Sequence, residues 1–151
     1  MKTSSFCPAR RCAGFTLIEM LCAVAIAGVL ASIAYPSFQH VIQKTRRSDA
    51  QVALMQLEMA QERYRSDHSS YASLTDLGVA DKSPLGHYKI VVASSSPTGF
   101  RAQAEASGLQ ASDAACRRLQ LVVDGMSVTR LSGTDDSVSN DSAANKQCWG
   151  A

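Results

Sequence analysis

Along the first quarter of the chain, apolar residues do not alternate with polar ones; they run together. Residues 20–35 carry no charge, and over 15–35 Glu19 is the single charged side chain. About 20 consecutive apolar residues are what a helix needs to cross a bilayer. After Pro36 the pattern becomes helical. Val52, Met55 and Met59 fall at i, i+3 and i+7, and Ala53, Leu57, Ala60 and Tyr64 at i, i+4, i+7 and i+11. This predicts one broad apolar stripe packed on the domain's own core, with the methionines as core fillers. Arg46, Arg47, Asp49, Gln56 and Arg63 fall outside it. A helix over 15–65 would be on the order of 75 Å long, and a small domain can cover only its second half. The first half has to be buried in lipid or among other copies of itself.

Past residue 67 the period shortens. Residues 67–78 are polar and turn-rich, with Tyr71, Leu74 and Leu77 as anchors. Four strands are expected, at 88–93, 99–106, 117–123 and 126–131. In the second, Phe100, Ala102, Ala104 and Ala106 share one face, and Arg101, Gln103 and Glu105 the other. Asp124-Gly125 between the last two strands is a two-residue hairpin signal. It pairs Val123 with Met126, Leu121 with Val128 and Leu119 with Arg130. Leu119, Leu121, Val123, Met126 and Val128 then face the core, and Arg118, Gln120, Ser127 and Thr129 face outward. Residues 133–147 are almost wholly polar and would be disordered if left to themselves. They are read as an exposed recognition loop.

Composition adds little until position is considered. The chain has 151 residues, about one domain, with 15 basic and 13 acidic side chains. Lys2, Arg10 and Arg11 lie within residues 1–14. Without that stretch there are 12 basic against 13 acidic residues, a net charge of −1. The basic balance therefore belongs to the unprocessed chain and argues nothing about nucleic acid. The cysteines also sort by position. Cys7 and Cys12 precede the apolar run and Cys22 lies in it, which leaves Cys116 and Cys148 in the polar-surfaced remainder. In an exported domain these two are expected to form a disulfide, contributing about 3–4 kcal/mol for a loop of that length. Two free thiols in a cytoplasmic protein is the alternative, which the apolar run disfavours.

Three readings of the N-terminus compete. A secretory signal peptide could use Arg10 and Arg11 as its basic region and 32–34 as its cleavage site before Tyr35. A plain membrane anchor is the second. Both leave Glu19 unexplained, because a carboxylate at bilayer depth costs a few kcal/mol. Cleavage between Gly14 and Phe15 explains it. The new α-amine would lie four residues before the carboxylate, on the same helix face. In an apolar setting neither charge is tolerated alone, so their pairing, within one chain or between copies, is selective.

Gly14-Phe15-Thr16-Leu17-Ile18-Glu19 followed by the apolar run resembles the class III signal of type IV pilin precursors. The resemblance implies cleavage after Gly14 by prepilin peptidase, N-methylation of Phe15, a register role for Phe15 and Glu19, and a helix kink at Pro36. A second set of residues is similar to minor pilins of the PilE kind: Gln61-Glu62-Arg63-Tyr64, Tyr71, Leu77-Gly78, Tyr88-Lys89-Ile90, Asp113 before Cys116, and Cys148-Trp149. The implied fold is α+β, with one long N-terminal α-helix packed on a four-stranded antiparallel β-sheet and a disulfide-bounded C-terminal loop. The implied organisation is a removed leader at 1–14, a transmembrane and filament-core half-helix at 15–35, and a periplasmic or extracellular globular domain at 36–151. The implied partners are other pilin subunits, the inner membrane before assembly, prepilin peptidase and the assembly machinery. The chain would first be single-pass in the inner membrane and later part of an extracellular pilus supporting adhesion and twitching motility. Orientation rests on the resemblance, since Lys44, Arg46 and Arg47 balance the cations before the span.

No catalytic constellation is visible. His40, His68 and His87 are scattered without ligand spacing, and nothing resembles a nucleophile elbow or a metal motif. Neither enzyme activity nor a cofactor or metal is expected. Asp135, Asp136 and Asp141 lack the spacing of a calcium loop. Two alternatives to a purely structural subunit remain. A pseudopilin of type II secretion is disfavoured by the Cys116/Cys148 pair. A DNA-binding competence pilin would use Arg117, Arg118, Arg130 and Lys146 as phosphate contacts. Arg117 and Arg118 are expected on opposite faces of a strand, and Trp149 is the one aromatic residue near them for stacking.

Overall fold

The computed structural model describes residues 15–135, 137–139 and 142–150. The expected leader with Gly14, as well as Asp136 and Asp141, lies outside them. The chain divides into two compact units, Met1–Phe38 and Gln39–Ala151. Helix α1, Leu17–Asp67, begins in the first and ends in the second. In the first unit Leu17, Ile18, Leu21, Val24, Leu30 and Ile33 are all exposed. Pro36 lies inside the helix.

The second unit is built on a four-stranded antiparallel sheet in sequence order. Its strands are β1 (Tyr88–Ser95), β2 (Gly99–Ala106), β3 (Arg118–Asp124) and β4 (Ser127–Gly133). Phe100, Ala102, Ala104 and Ala106 are buried, as their alternation predicts. Three alanines in a row on one face let α1 approach the middle of the sheet. There Ala50, Ala53, Leu54 and Leu57 join Tyr88, Ile90, Leu119, Leu121 and Val123 in the core. Gly99 is required, since a Cβ at that position would stand 2.1 Å from the Val123 carbonyl oxygen.

The β3–β4 register differs from the expected one. Asp124 pairs with Ser127, Val123 with Val128 and Leu121 with Arg130, so the turn is Gly125-Met126. Gly125 takes φ +58°, while among the described residues no non-glycine has positive φ. An Asp124-Gly125 turn of the common hairpin type would have put Asp124 in the left-handed region as well. The shift moves Met126 to the tip, fully exposed, and leaves Val128 at 49% exposure. Gln120, expected outside, is buried in the sheet between Gln103 and Leu131.

The helix stripe is rotated from its expected position. Val52, Met55 and Met59 are exposed, whereas Arg47, Asp49 and Gln61 are buried. Each of these three has partners that offset its desolvation. Gln61 Nε2 donates to Ala72 O (2.8 Å) and Gln61 Oε1 accepts from Ala72 N (2.9 Å), clamping the post-helix segment beside buried Tyr71. Asp49 accepts from Ser83 Oγ (2.5 Å), Leu85 N (3.0 Å) and His87 N (3.3 Å), which fixes the loop before β1. The polar C-terminal stretch is not all loop. Ser132 and Ser139 form a bridge, and Ser142–Trp149 is a helix, α2.

Candidate functional site

In the first unit, Phe15 and Thr16 precede the helix and Phe15 is 78% exposed. Thr16 Oγ1 accepts from the Glu19 amide (3.3 Å) and Thr16 O from the Met20 amide (3.2 Å). Thr16 is therefore the N-cap, and Thr16-x-x-Glu19 has the spacing of a capping box. That signal was available in the sequence and adds a local role to Glu19. Within the first turn a carboxylate also meets the positive end of the helix dipole. Glu19 has no ion-pair partner among the described residues. The segment is long and apolar enough to cross a membrane.

In the second unit, Cys116 and Cys148 are joined, with Cα atoms 5.4 Å apart, and both are buried. The bridge ties α2 to a 3₁₀ turn, Ala114–Cys116, that follows another, Gly108–Ser112. Arg47 holds the same junction from the helix side. Its Nε and Nη2 meet Asp113 Oδ2 (2.7 Å) and Oδ1 (2.9 Å), and its Nη1 donates to Gln147 O (2.7 Å). Gln51 Nε2 donates to Cys148 O (3.3 Å). Gln110 Nε2 reaches Gln43 O, Tyr88 OH and Asp113 Oδ2 at 3.1–3.2 Å. Burial at this site pushes the Tyr88 hydroxyl up to about 12. The apolar stripe argument missed the roles of Arg47 and Gln110. The nearest signal was Asp113 close before Cys116.

The four candidate phosphate contacts separate into two pairs. Arg130 and Lys146 line a groove of about 600 Å³ together with Leu54, Met55, Leu121 and Trp149. The Arg130 guanidinium lies 5.6 Å from the Trp149 ring centre, a cation–π distance. Trp149 Nε1 donates to Leu131 O (3.1 Å) and Asn145 Nδ2 to Arg130 O (2.9 Å), seating α2 on β4. Arg117 and Arg118 are not in that lining. Arg117 is in helical backbone ahead of β3 rather than in the strand, and its Nε donates to Ala111 O (3.2 Å). Arg118 Nη2 pairs with Glu105 Oε1 (3.1 Å) across β2 and β3. Asp135 accepts from the Ser137 hydroxyl and amide, which, with Arg118 and Arg117 near, hold its carboxyl below the usual range. Among the described residues no three His, Cys, Asp or Glu side chains converge as metal ligands. His68 stacks on Tyr64, 3.9 Å between ring centres.

Comparison with known proteins places these features. The family model described as type IV minor pilin ComP, DNA uptake sequence receptor, matches residues 36–120, over half of the chain. The prokaryotic N-terminal methylation motif matches residues 9–35. The type IV major pilin protein PilA of Myxococcus xanthus (strain DK1622) is 38% identical over 76 residues, 50% of this chain and 34% of that protein. The type II secretion system core protein G of Pectobacterium carotovorum subsp. carotovorum is 37% identical over 60 residues, 40% of this chain and 38% of its own length. The matches thus span little more than a third of either relative. Arg117 and Arg118 fall within the family match, and Arg130, Lys146 and Trp149 beyond it.

Proposed function

Since the chain belongs to the ComP family of type IV minor pilins, we propose that it is a structural pilus subunit. It is cut after Gly14, N-methylated at Phe15, held in the inner membrane as a single pass over 15–35, and then drawn into a filament. Phe15 and Glu19 set register by amine–carboxylate pairing, and the apolar half-helices form the filament core. Attachment and twitching motility then follow from the filament. The observation that carries this reading is the first unit itself. Its large apolar side chains are exposed, with one carboxylate in the first turn. Such a surface must be covered by lipid or by like helices. The family is a structural one, and no reaction is assigned to the chain. Intact-mass analysis of the mature N-terminus tests the route. A chain beginning at methylated Phe15 supports it, and one beginning at Tyr35 makes the protein an ordinary secreted domain.

A second reading is favoured by Trp149, Arg130 and Lys146 meeting in one groove, and by the DNA-receptor description of the family. In this reading the same subunit captures duplex DNA through phosphate contacts from the two cations, with Trp149 holding the Arg130 guanidinium in place. Binding of the detergent-solubilised chain to duplex DNA across a salt series tests it. Arg130→Ala with Lys146→Ala should reduce the slope of log K against log salt by about 1.8, roughly 0.9 per phosphate contact. An unchanged slope removes this groove from DNA capture.

A further inference from the structure

We propose that the end of the domain where β1 starts and β2 ends is a docking surface for an anionic bilayer, engaged while the chain is still held in the membrane. The inference rests on the membrane-held precursor proposed above. Two loops meet at this end. Ser107 N donates to His87 O (2.9 Å), and Ser107 Oγ to Gly86 O (3.2 Å). Each loop presents a leucine that the core does not use, Leu85 at 72% exposure and Leu109 at 80%. A positive-φ glycine stands beside each, Gly86 at +75° and Gly108 at +56°, in tight turns that a side chain would strain.

The start of the domain's helix lies at the same end, since Gln43 Nε2 donates to Ser112 Oγ (3.1 Å) and Gln43 O accepts from Gln110 Nε2 (3.2 Å). Lys44 is exposed there, as is Arg117, bonded to Ala111 O. The carboxylates beneath are turned inward and occupied, Asp49 by the loop amides and Asp113 by Arg47. Two exposed acids stand close by. Asp135 is in the field of Arg117 and Arg118, and Asp81, whose backbone carbonyl accepts from the Ile90 amide, lies further along β1. The surface therefore combines two unburied leucines with cations.

The chain itself selects the occupant. Lys44 is nine residues beyond Tyr35, where the apolar run ends. Nine residues reach at most about 32 Å however the chain is arranged, so the loops stay in the neighbourhood of the bilayer that holds the apolar run. A tether this short holds the loops at high effective concentration against the bilayer. Leucines then bury apolar surface at the headgroup boundary. Each cation near an anionic leaflet favours the docked state about fivefold. Extraction into a filament would have to release this contact, so it stages the precursor rather than the assembled subunit.

The test uses the full-length, unprocessed chain at one copy per nanodisc, in phosphatidylethanolamine with phosphatidylglycerol or in phosphatidylcholine alone. Amide hydrogen exchange is read by mass spectrometry. Peptides over 84–88 and 107–112 should exchange several-fold more slowly in the anionic discs, with the opposite hairpin at 124–127 unchanged. Leu85→Ser with Leu109→Ser, or Lys44→Gln with Arg117→Gln, should abolish the difference. Equal exchange of the wild-type loops in the two lipids overturns the proposal. Protection that requires two copies per disc overturns it as well, because the surface then belongs to a second subunit. Cys22, a free thiol within the apolar run, separates this failure from that of the underlying reading. If Cys22 reacts with a membrane-impermeant thiol reagent in the disc, the membrane-held precursor falls, and this inference with it.

Discussion

Arg47 and Asp113 form a two-toothed ion pair whose members are 7% and 3% exposed, and Arg47's remaining nitrogen holds the carbonyl of Gln147. Burying two charges has a desolvation cost that their attraction offsets only when the geometry is good and further hydrogen bonds are made, and here each of the three guanidinium nitrogens has a partner. Removing one partner strands the other. Arg47→Ala is therefore expected to destabilise the domain by about 3–5 kcal/mol, while Arg47→Met with Asp113→Leu recovers most of the loss. Urea midpoints of the three proteins measure this. A single variant as stable as the wild type would mean that the pair is solvated. Tyr88 gives a pH-dependent prediction at the same junction. Its hydroxyl is raised to about 12, chiefly by burial, so the fold favours the protonated form. Its contribution is complete below the unfolded value near 10. It declines as pH rises through 10–12, by about 3 kcal/mol in all. Tyr71 is shifted in the same direction by burial and by Glu62. Tyr88→Phe should flatten the alkaline loss of stability measured by urea titration across that window, leaving the part due to Tyr71.

At the scale of elements, α2 is the least secure piece. It has eight residues, too short to persist alone. Cys148, Arg47, Gln51 and Trp149 hold it in place. The bridge spans 32 positions, for which loop closure predicts about 3–4 kcal/mol. Cys116→Ala with Cys148→Ala should lose about that much and let α2 fray. Trp149 is the only tryptophan, so its emission should shift to the red as α2 leaves β4. An unshifted spectrum would show the side-chain contacts to be sufficient. This element also marks where the sequence stops being readable. Strand β2 was legible because alternation with period two reflects burial on one face only. α2 was not, because its residues are polar and its order comes from partners distant in the chain. The rotation of the α1 stripe has the same origin. Met55 and Met59 fit a core by hydropathy, but Arg47, Asp49 and Gln61 have buried partners that no helical periodicity encodes. The hairpin turn was located, yet its register depended on which residue accepts positive φ. Of the candidate site, the Cys116–Cys148 bridge could be read from position alone. The grouping of Arg130 with Lys146 and Trp149 needed the helix.

For the whole molecule, Glu19 has to be assigned either to its own helix or to the filament. Its amide bonds Thr16 Oγ1 in a capping-box spacing, which a glutamine would satisfy equally well. A purely local role therefore predicts that Glu19→Gln behaves like the wild type. Pairing with an α-amine needs the charge. In an apolar surrounding, loss of one partner leaves the other stranded at a cost of several kcal/mol, far more than a first-turn dipole interaction contributes. Under that role Glu19→Gln and Glu19→Ala should both be cut after Gly14, since the scissile bond precedes the helix. Both should also enter filaments at least about tenfold less well, a factor that corresponds to only 1.4 kcal/mol. Sheared-filament blots set against membrane-fraction blots give the two quantities separately. Incorporation restored by glutamine but not by alanine would reduce Glu19 to a helix cap. Loss of cleavage in both variants would place the carboxylate in peptidase recognition instead. Reduced incorporation of a correctly cut chain is the outcome that makes this one charge the link between processing and assembly.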